Sequence, residues 1–146
     1  MCAKAKLKTR PEQGTVLVVD DERSIVETLS AVLEVRGFRV LEADSAERAL
    51  RIIEQGPAPD AVVLDVLLPG ISGLELCQMI RDNDQLKSVP VLMITVITRD
   101  TDLADGFWKI GTQADDFVTK PFDPFVLADR VERLLAGSQG EKHSVC

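Results

Sequence analysis

Three short apolar runs and one mixed segment end on polar residues of the kinds that act together in chemistry. Val16-Leu17-Val18-Val19 runs into Asp20-Asp21, Ala61-Val62-Val63-Leu64 into Asp65, and Val91-Leu92-Met93-Ile94 into Thr95. A short strand-like segment, Asp116-Phe117-Val118-Thr119, ends on Lys120. Each of these residues alone has a plainer use. Asp20 or Asp21 can cap a following helix, Asp65 can open a turn with Pro69-Gly70, and Thr95 can simply end a strand. The ordered set argues for more. Two like charges ~4 Å apart repel by about 4 kcal/mol at an effective dielectric of ~20, so three adjacent carboxylates call for a cation or a raised pKa. Oxygen donors without a neighbouring His or Cys favour a hard ion, Mg²⁺ or Mn²⁺. A divalent ion beside a free carboxylate can receive a phosphoryl group, whose remaining oxygens would suit Lys120 and the Thr95 hydroxyl.

The elements that must position these residues follow from hydrophobic periodicity. The three continuous apolar runs read as buried strands, with FRVLEA (38–43) and the short segment 116–119 as further strands. Between them Ile25, Leu29, Val32 and Leu33 recur at helical spacing up to Gly37. Ser45 opens a second helix through Ala46, Ala49, Leu50 and Ile53, which Pro57 and Pro59 end. Leu74, Cys77, Ile80 and Arg81 mark a third, residues 100–111 a fourth, and Val126, Leu127, Val131, Leu134 and Leu135 a fifth over 124–136. Five strands alternating with five helices predict an α/β fold: a doubly wound five-stranded parallel sheet in the order 2-1-3-4-5. In such sheets ligands bind beyond the carboxyl ends of the strands where the order reverses, here between strands 1 and 3. The predicted organisation is a basic arm (1–14), one domain (15–136) and a polar tail (137–146).

Composition narrows the function classes. The chain has 146 residues, 45% hydrophobic and 28% charged, as expected of one soluble domain. Its net charge is −7; the first 14 residues carry +3, which leaves −10 on the rest. So acidic a body argues against direct nucleic-acid binding. Cys2, Cys77 and Cys146 form no disulfide framework and fit the reducing cytoplasm. His143 is the only histidine, which excludes a Ser-His-Asp triad or a His-based zinc site within the domain. The basic start, followed by Pro11-Glu12-Gln13-Gly14 and not by an apolar stretch, does not read as a signal peptide, and no apolar run approaches the length of a membrane span.

The segments VLVVDDE (16–22), VVLDVLLPGISGLEL (62–76), VLMIT (91–95) and DDFVTKPF (115–122) resemble the receiver domain of two-component response regulators, in the flavodoxin-like receiver fold. The resemblance covers about residues 14–136. It implies that Asp65 is the phosphoacceptor. It further implies that Asp20, Asp21, Asp65 and the main-chain carbonyl of Leu67 hold Mg²⁺ (or Mn²⁺), and that Lys120 pairs with the phosphoryl group. Thr95 and Phe117 would be the switch residues, and the Lys120-Pro121 bond would be cis. The implied donor is a sensor histidine kinase or a histidine phosphotransfer protein. The implied output is a face made by helix 4, strand 5 and helix 5, which docks a downstream protein and can dimerise on phosphorylation.

Such a protein is not an enzyme acting on outside substrates. It either signals by docking or is the receiver of a longer regulator or hybrid kinase. Val96 after Thr95, where a small residue is usual, and the apolar Leu67 and Ile97 predict a slowly decaying phosphorylated form. Trp108, on the fourth helix, is expected either in an exposed partner patch or half-buried against a neighbouring helix. The basic arm Lys4–Arg10 is expected to be a solvated tail. A flavin carrier would share the layers, but Asp20-Asp21-Glu22 would repel a flavin phosphate. An aspartyl phosphatase would need a second acid where Leu67 stands.

Overall fold

A computed structural model of the chain describes residues 13–96 and 114–138. The predicted helix over 100–111, with Trp108 and Ile97, lies outside the described residues, as do the basic arm and the polar tail. Five strands are present: β1 (Gly14–Val19), β2 (Phe38–Ala43), β3 (Ala61–Asp65), β4 (Val91–Val96) and β5 (Asp116–Lys120). They form one parallel sheet in the order β2-β1-β3-β4-β5, as the alternating pattern predicts. The described helices are α1 (Arg23–Val35), α2 (Ala46–Gln55), α3 (Gly73–Asp82) and a C-terminal helix (Pro124–Ser138).

Alternate residues of the central strands feed two cores, one on each face of the sheet. Leu17, Val19, Val62, Leu64 and Met93 pack with Ala49 and Ile53 of α2 and with Leu76 and Ile80 of α3. Val16, Val18, Val63, Leu92 and Ile94 pack with Leu29 and Leu33 of α1 and with Leu127 and Val131 of the C-terminal helix. Cys77 is buried in the first core. Truncating a residue such as Leu64, which has no exposed surface, to Ala costs about 3 kcal/mol.

The stripe of α1 differs by one position from the predicted one. Val26, with Leu29 and Leu33, is buried, whereas Ile25 is only half-buried. Spacings of three and four fit either residue, and the packing of α1 on β1 selects Val26.

The helix starts follow capping chemistry. Ser45 accepts the Arg48 N–H at 3.1 Å. At α3 a capping box closes: Ser72 Oγ accepts the Glu75 N–H, and Glu75 Oε1 accepts the Ser72 N–H. The loop between β3 and α3 depends on two glycines. Gly70 has φ +76°, and Gly73 donates to the Val66 carbonyl at 2.9 Å. A Cβ on Gly73 would overlap the carbonyl oxygen of Asp65 and come within 2.8 Å of Val66 Cα. Only glycine lets α3 start this close to the end of β3.

Candidate functional site

Strand register brings the polar residues level. Val19 pairs with Leu64 across β1 and β3, so Asp20 and Asp65 leave the sheet side by side. Asp65 pairs with Ile94, one residue before Thr95, and Val96 pairs with Lys120. Asp20, Asp65 and Thr95 are the buried acidic and hydroxyl side chains here, while Asp21 is exposed at the rim. One carboxylate oxygen from each of Asp20, Asp21 and Asp65 lies within 4.8 Å of the other two.

The oxygens are partnered unequally. Asp65 Oδ1 accepts the Leu67 N–H at 3.0 Å, and its Oδ2 accepts from Lys120 Nζ at 3.0 Å. Asp20 Oδ1 accepts the Glu22 N–H at 2.9 Å. Asp20 Oδ2 is buried without a hydrogen bond, with Lys120 Nζ 3.5 Å away. Burial, with the Asp65 charge beside it, pushes the Asp20 carboxyl up to about 6, although the Glu22 N–H and Lys120 act in the opposite direction. Burial works against the charge on Lys120, but its hydrogen bonds to Glu22 and Asp65 prevail and raise its pKa. The ammonium is therefore charged at any physiological pH.

This arrangement suits a hard divalent cation. The donors are all oxygens, one of them is buried and unsatisfied, and three carboxylates face each other with one ammonium among them.

The predicted residues Asp20, Asp21, Asp65 and Lys120 are brought into one cluster. Thr95 lies at the same sheet edge, next to the residue that pairs with Asp65. Leu67, two residues after Asp65, is 67% exposed. Phe117 is half-buried on β5 against the first core, and the Lys120-Pro121 bond is cis.

Glu22 was not among the predicted residues, yet its Oε1 makes the shortest contact to Lys120 Nζ, 2.8 Å. The signal was the third acid of Asp20-Asp21-Glu22, which reads from sequence as more of the same charge.

Among the described residues no helix is long and apolar enough to cross a membrane. The response regulator receiver domain family model matches residues 16–132. The transcriptional regulatory protein YvrH of Bacillus subtilis is 38% identical over 134 residues, 91% of this chain and 54% of that protein. The alkaline phosphatase synthesis transcriptional regulatory protein PhoP of the same organism is 41% identical over 124 residues, 85% of this chain and 49% of that protein. The chain thus spans about half the length of these relatives. Among solved structures, the signal receiver domain of a histidine kinase from Syntrophus aciditrophicus superposes with a TM-score of 0.77 at 32% identity, covering 91% of this chain and 97% of that one. A family match over nearly the whole described region, on the sheet order and acidic cluster found here, leaves no place for the flavin-carrier reading. The chain belongs to the response regulator receiver family, the phosphoacceptor domains of two-component signalling.

Proposed function

We propose that Asp65 is the residue that accepts the phosphoryl group. One observation carries this reading: Asp65 ends the central strand β3, buried, with Lys120 on one oxygen and the Asp20–Asp21 carboxylates beside it. The donor is a phosphohistidine of a sensor histidine kinase or a histidine phosphotransfer protein. An Asp65 oxygen attacks phosphorus, the N–P bond breaks as the O–P bond forms, and the imidazole leaves with the electron pair. Lys120 meets the charge that gathers on the phosphoryl oxygens.

Asp20, Asp21 and Asp65, with the Leu67 carbonyl, would hold Mg²⁺, and Mn²⁺ would fit the same donors. A bound divalent ion supplies charge neutralisation for the phosphoryl oxygens. Thr95 and Phe117 transmit the change. The Thr95 hydroxyl moves toward the new phosphoryl group, and Phe117 turns into the space behind it. The phosphoryl group shifts this equilibrium only by its differential contacts in the two states. The surface around β5 and the C-terminal helix then meets a downstream protein or a second copy.

The chemistry is confined to the chain's own phosphotransfer and autodephosphorylation; it is not an enzyme on outside substrates, and its place is the cytoplasm. The acidic body supports an output through protein contact, not direct nucleic-acid binding. A second reading, a receiver coupled to a transcriptional output, is supported by relatives of that name, of which this chain covers 54% and 49%.

The test is intact mass after incubation with acetyl phosphate and Mg²⁺. A gain of one phosphoryl group in the wild type, absent in Asp65→Ala and without Mg²⁺, is expected. A gain that survives in Asp65→Ala, or no gain from either acetyl phosphate or a histidine-kinase donor, overturns the assignment.

A further inference from the structure

Lys120 Nζ sits among three carboxylates at unequal distances: Glu22 Oε1 at 2.8 Å, Asp65 Oδ2 at 3.0 Å and Asp20 Oδ2 at 3.5 Å. The first two accept hydrogen bonds, and the third does not. An ammonium left to itself in this cluster would turn toward Asp20, whose Oδ2 is, among the described residues, the buried side-chain acceptor without a hydrogen bond. Something holds it off.

Glu22 is placed to do so. It is the N-cap residue of α1, but its side chain makes no capping hydrogen bond and reaches Lys120 instead, across 98 positions of sequence. We propose that Glu22 is a positioning residue: it tethers the Lys120 ammonium at the rim, facing Asp65, and so keeps Asp20 Oδ2 free for a divalent cation. The inference rests on the reading of this cluster as the phosphoacceptor site.

Two consequences distinguish a tether from one more acidic charge. Without Glu22, Lys120 moves inward onto Asp20 and competes with the cation. Without Lys120, Glu22 has nothing to hold, and its half-exposed carboxylate should matter little to the ion because water screens it.

The experiment is a double-mutant cycle on the full chain, reading Mg²⁺ affinity by calorimetry, with Mn²⁺ as the second probe. The proteins are wild type, Glu22→Ala, Glu22→Gln, Lys120→Ala and Glu22→Ala/Lys120→Ala. Glu22→Ala is expected to weaken Mg²⁺ by about fivefold, the scale of one partly screened charge contact. Glu22→Gln, which keeps an oxygen acceptor of the same reach, recovers part of the loss. In the Lys120→Ala background the Glu22→Ala loss falls to within about twofold, because contacting residues are non-additive. Thermal melts in EDTA confirm that each variant is folded.

An equal loss in both backgrounds would show Glu22 acting by its own charge and overturns the tether. So does an unchanged affinity in Glu22→Ala, or a wild type that binds neither ion. Phosphoryl uptake by the same five proteins is read in parallel. A wild type that binds Mg²⁺ but takes no phosphoryl group defeats the acceptor reading, while the cycle still decides the role of Glu22.

Discussion

Lys120 Nζ and Asp65 Oδ2 are 3.0 Å apart although 55 residues separate them, and each comes from the last residue of its strand. The contact joins the centre of the sheet to its edge across β4. It sets a cation against the carboxylate that must become a nucleophile, so Lys120 lowers the charge of the cluster and awaits the phosphoryl oxygens.

Lys120→Ala should therefore slow phosphorylation of Asp65 by about 100-fold, as loss of one aimed donor at a developing charge does. Because its pKa is raised, the ammonium stays charged, and the wild-type rate should show no inflection from Lys120 at neutral pH. Initial rates with acetyl phosphate at saturating Mg²⁺ check both. A rate loss of less than about threefold would remove Lys120 from the reaction.

Asp20 gives a pH dependence in EDTA. Its folded pKa, about 6, lies above the ordinary 3.8, so the native state holds a proton that the unfolded chain releases. The contribution of Asp20 to stability is thus fully present below about pH 4 and lost as pH rises through 6. Asp20→Asn removes that loss, and should stabilise the metal-free protein at pH 7 by on the order of 2 kcal/mol. Chemical denaturation at pH 4 and pH 7 tests it. The same variant should bind Mg²⁺ more weakly, which separates the needs of the site from those of the fold.

Gly73→Ala tests the backbone behind the acceptor. The added methyl meets the Asp65 carbonyl and Val66 Cα, neither of which can turn aside as a side chain could. We expect a loss of about 2 kcal/mol in stability. Slower phosphorylation should accompany it, because the displaced atoms belong to Asp65 itself. An unchanged rate in a destabilised variant would show that the loop moves without the carboxylate.

The site was legible in sequence because of one property of parallel sheets. A strand buried on both faces is a continuous apolar run, so the first polar residue after it marks the edge where ligands bind. Asp20, Asp65 and Thr95 each stand at such a break, whereas Lys120 ends the half-buried β5, in which Asp116 and Thr119 are already polar. What stayed hidden has no comparable signature. Glu22 differs from Asp20 and Asp21 only in reaching Lys120, a fact of geometry and not of spacing. Gly73 reads as a loop breaker, although its role is close approach. Val26 and Ile25 are adjacent apolar residues, and only the packing of α1 on the sheet chooses between them. The Ser72–Glu75 capping box was available as an S-x-x-E spacing, but the breakers Pro69 and Gly70 before it suggested nothing beyond a turn.

The rim of the site bears on how long the phosphoryl group lasts. Hydrolysis of an aspartyl phosphate needs a water held in line behind phosphorus, and a polar side chain at the rim can orient it. Here Leu67 is 67% exposed and Val96 41%, so the described residues two after Asp65 and one after Thr95 are apolar and stand at the surface. Neither side chain can accept or donate a hydrogen bond to that water. The phosphorylated protein should consequently decay slowly. Leu67→Asn, which introduces a donor and an acceptor without disturbing a packed core, should shorten the lifetime by about fivefold. Val96→Ala should widen access for small donors and leave Mg²⁺ affinity unchanged. The first is read by following phosphoprotein mass after the donor is removed, the second by initial uptake from acetyl phosphate and by Mg²⁺ calorimetry. A Leu67→Asn lifetime equal to that of the wild type would mean that water is positioned from elsewhere, and the apolar rim would then be only packing.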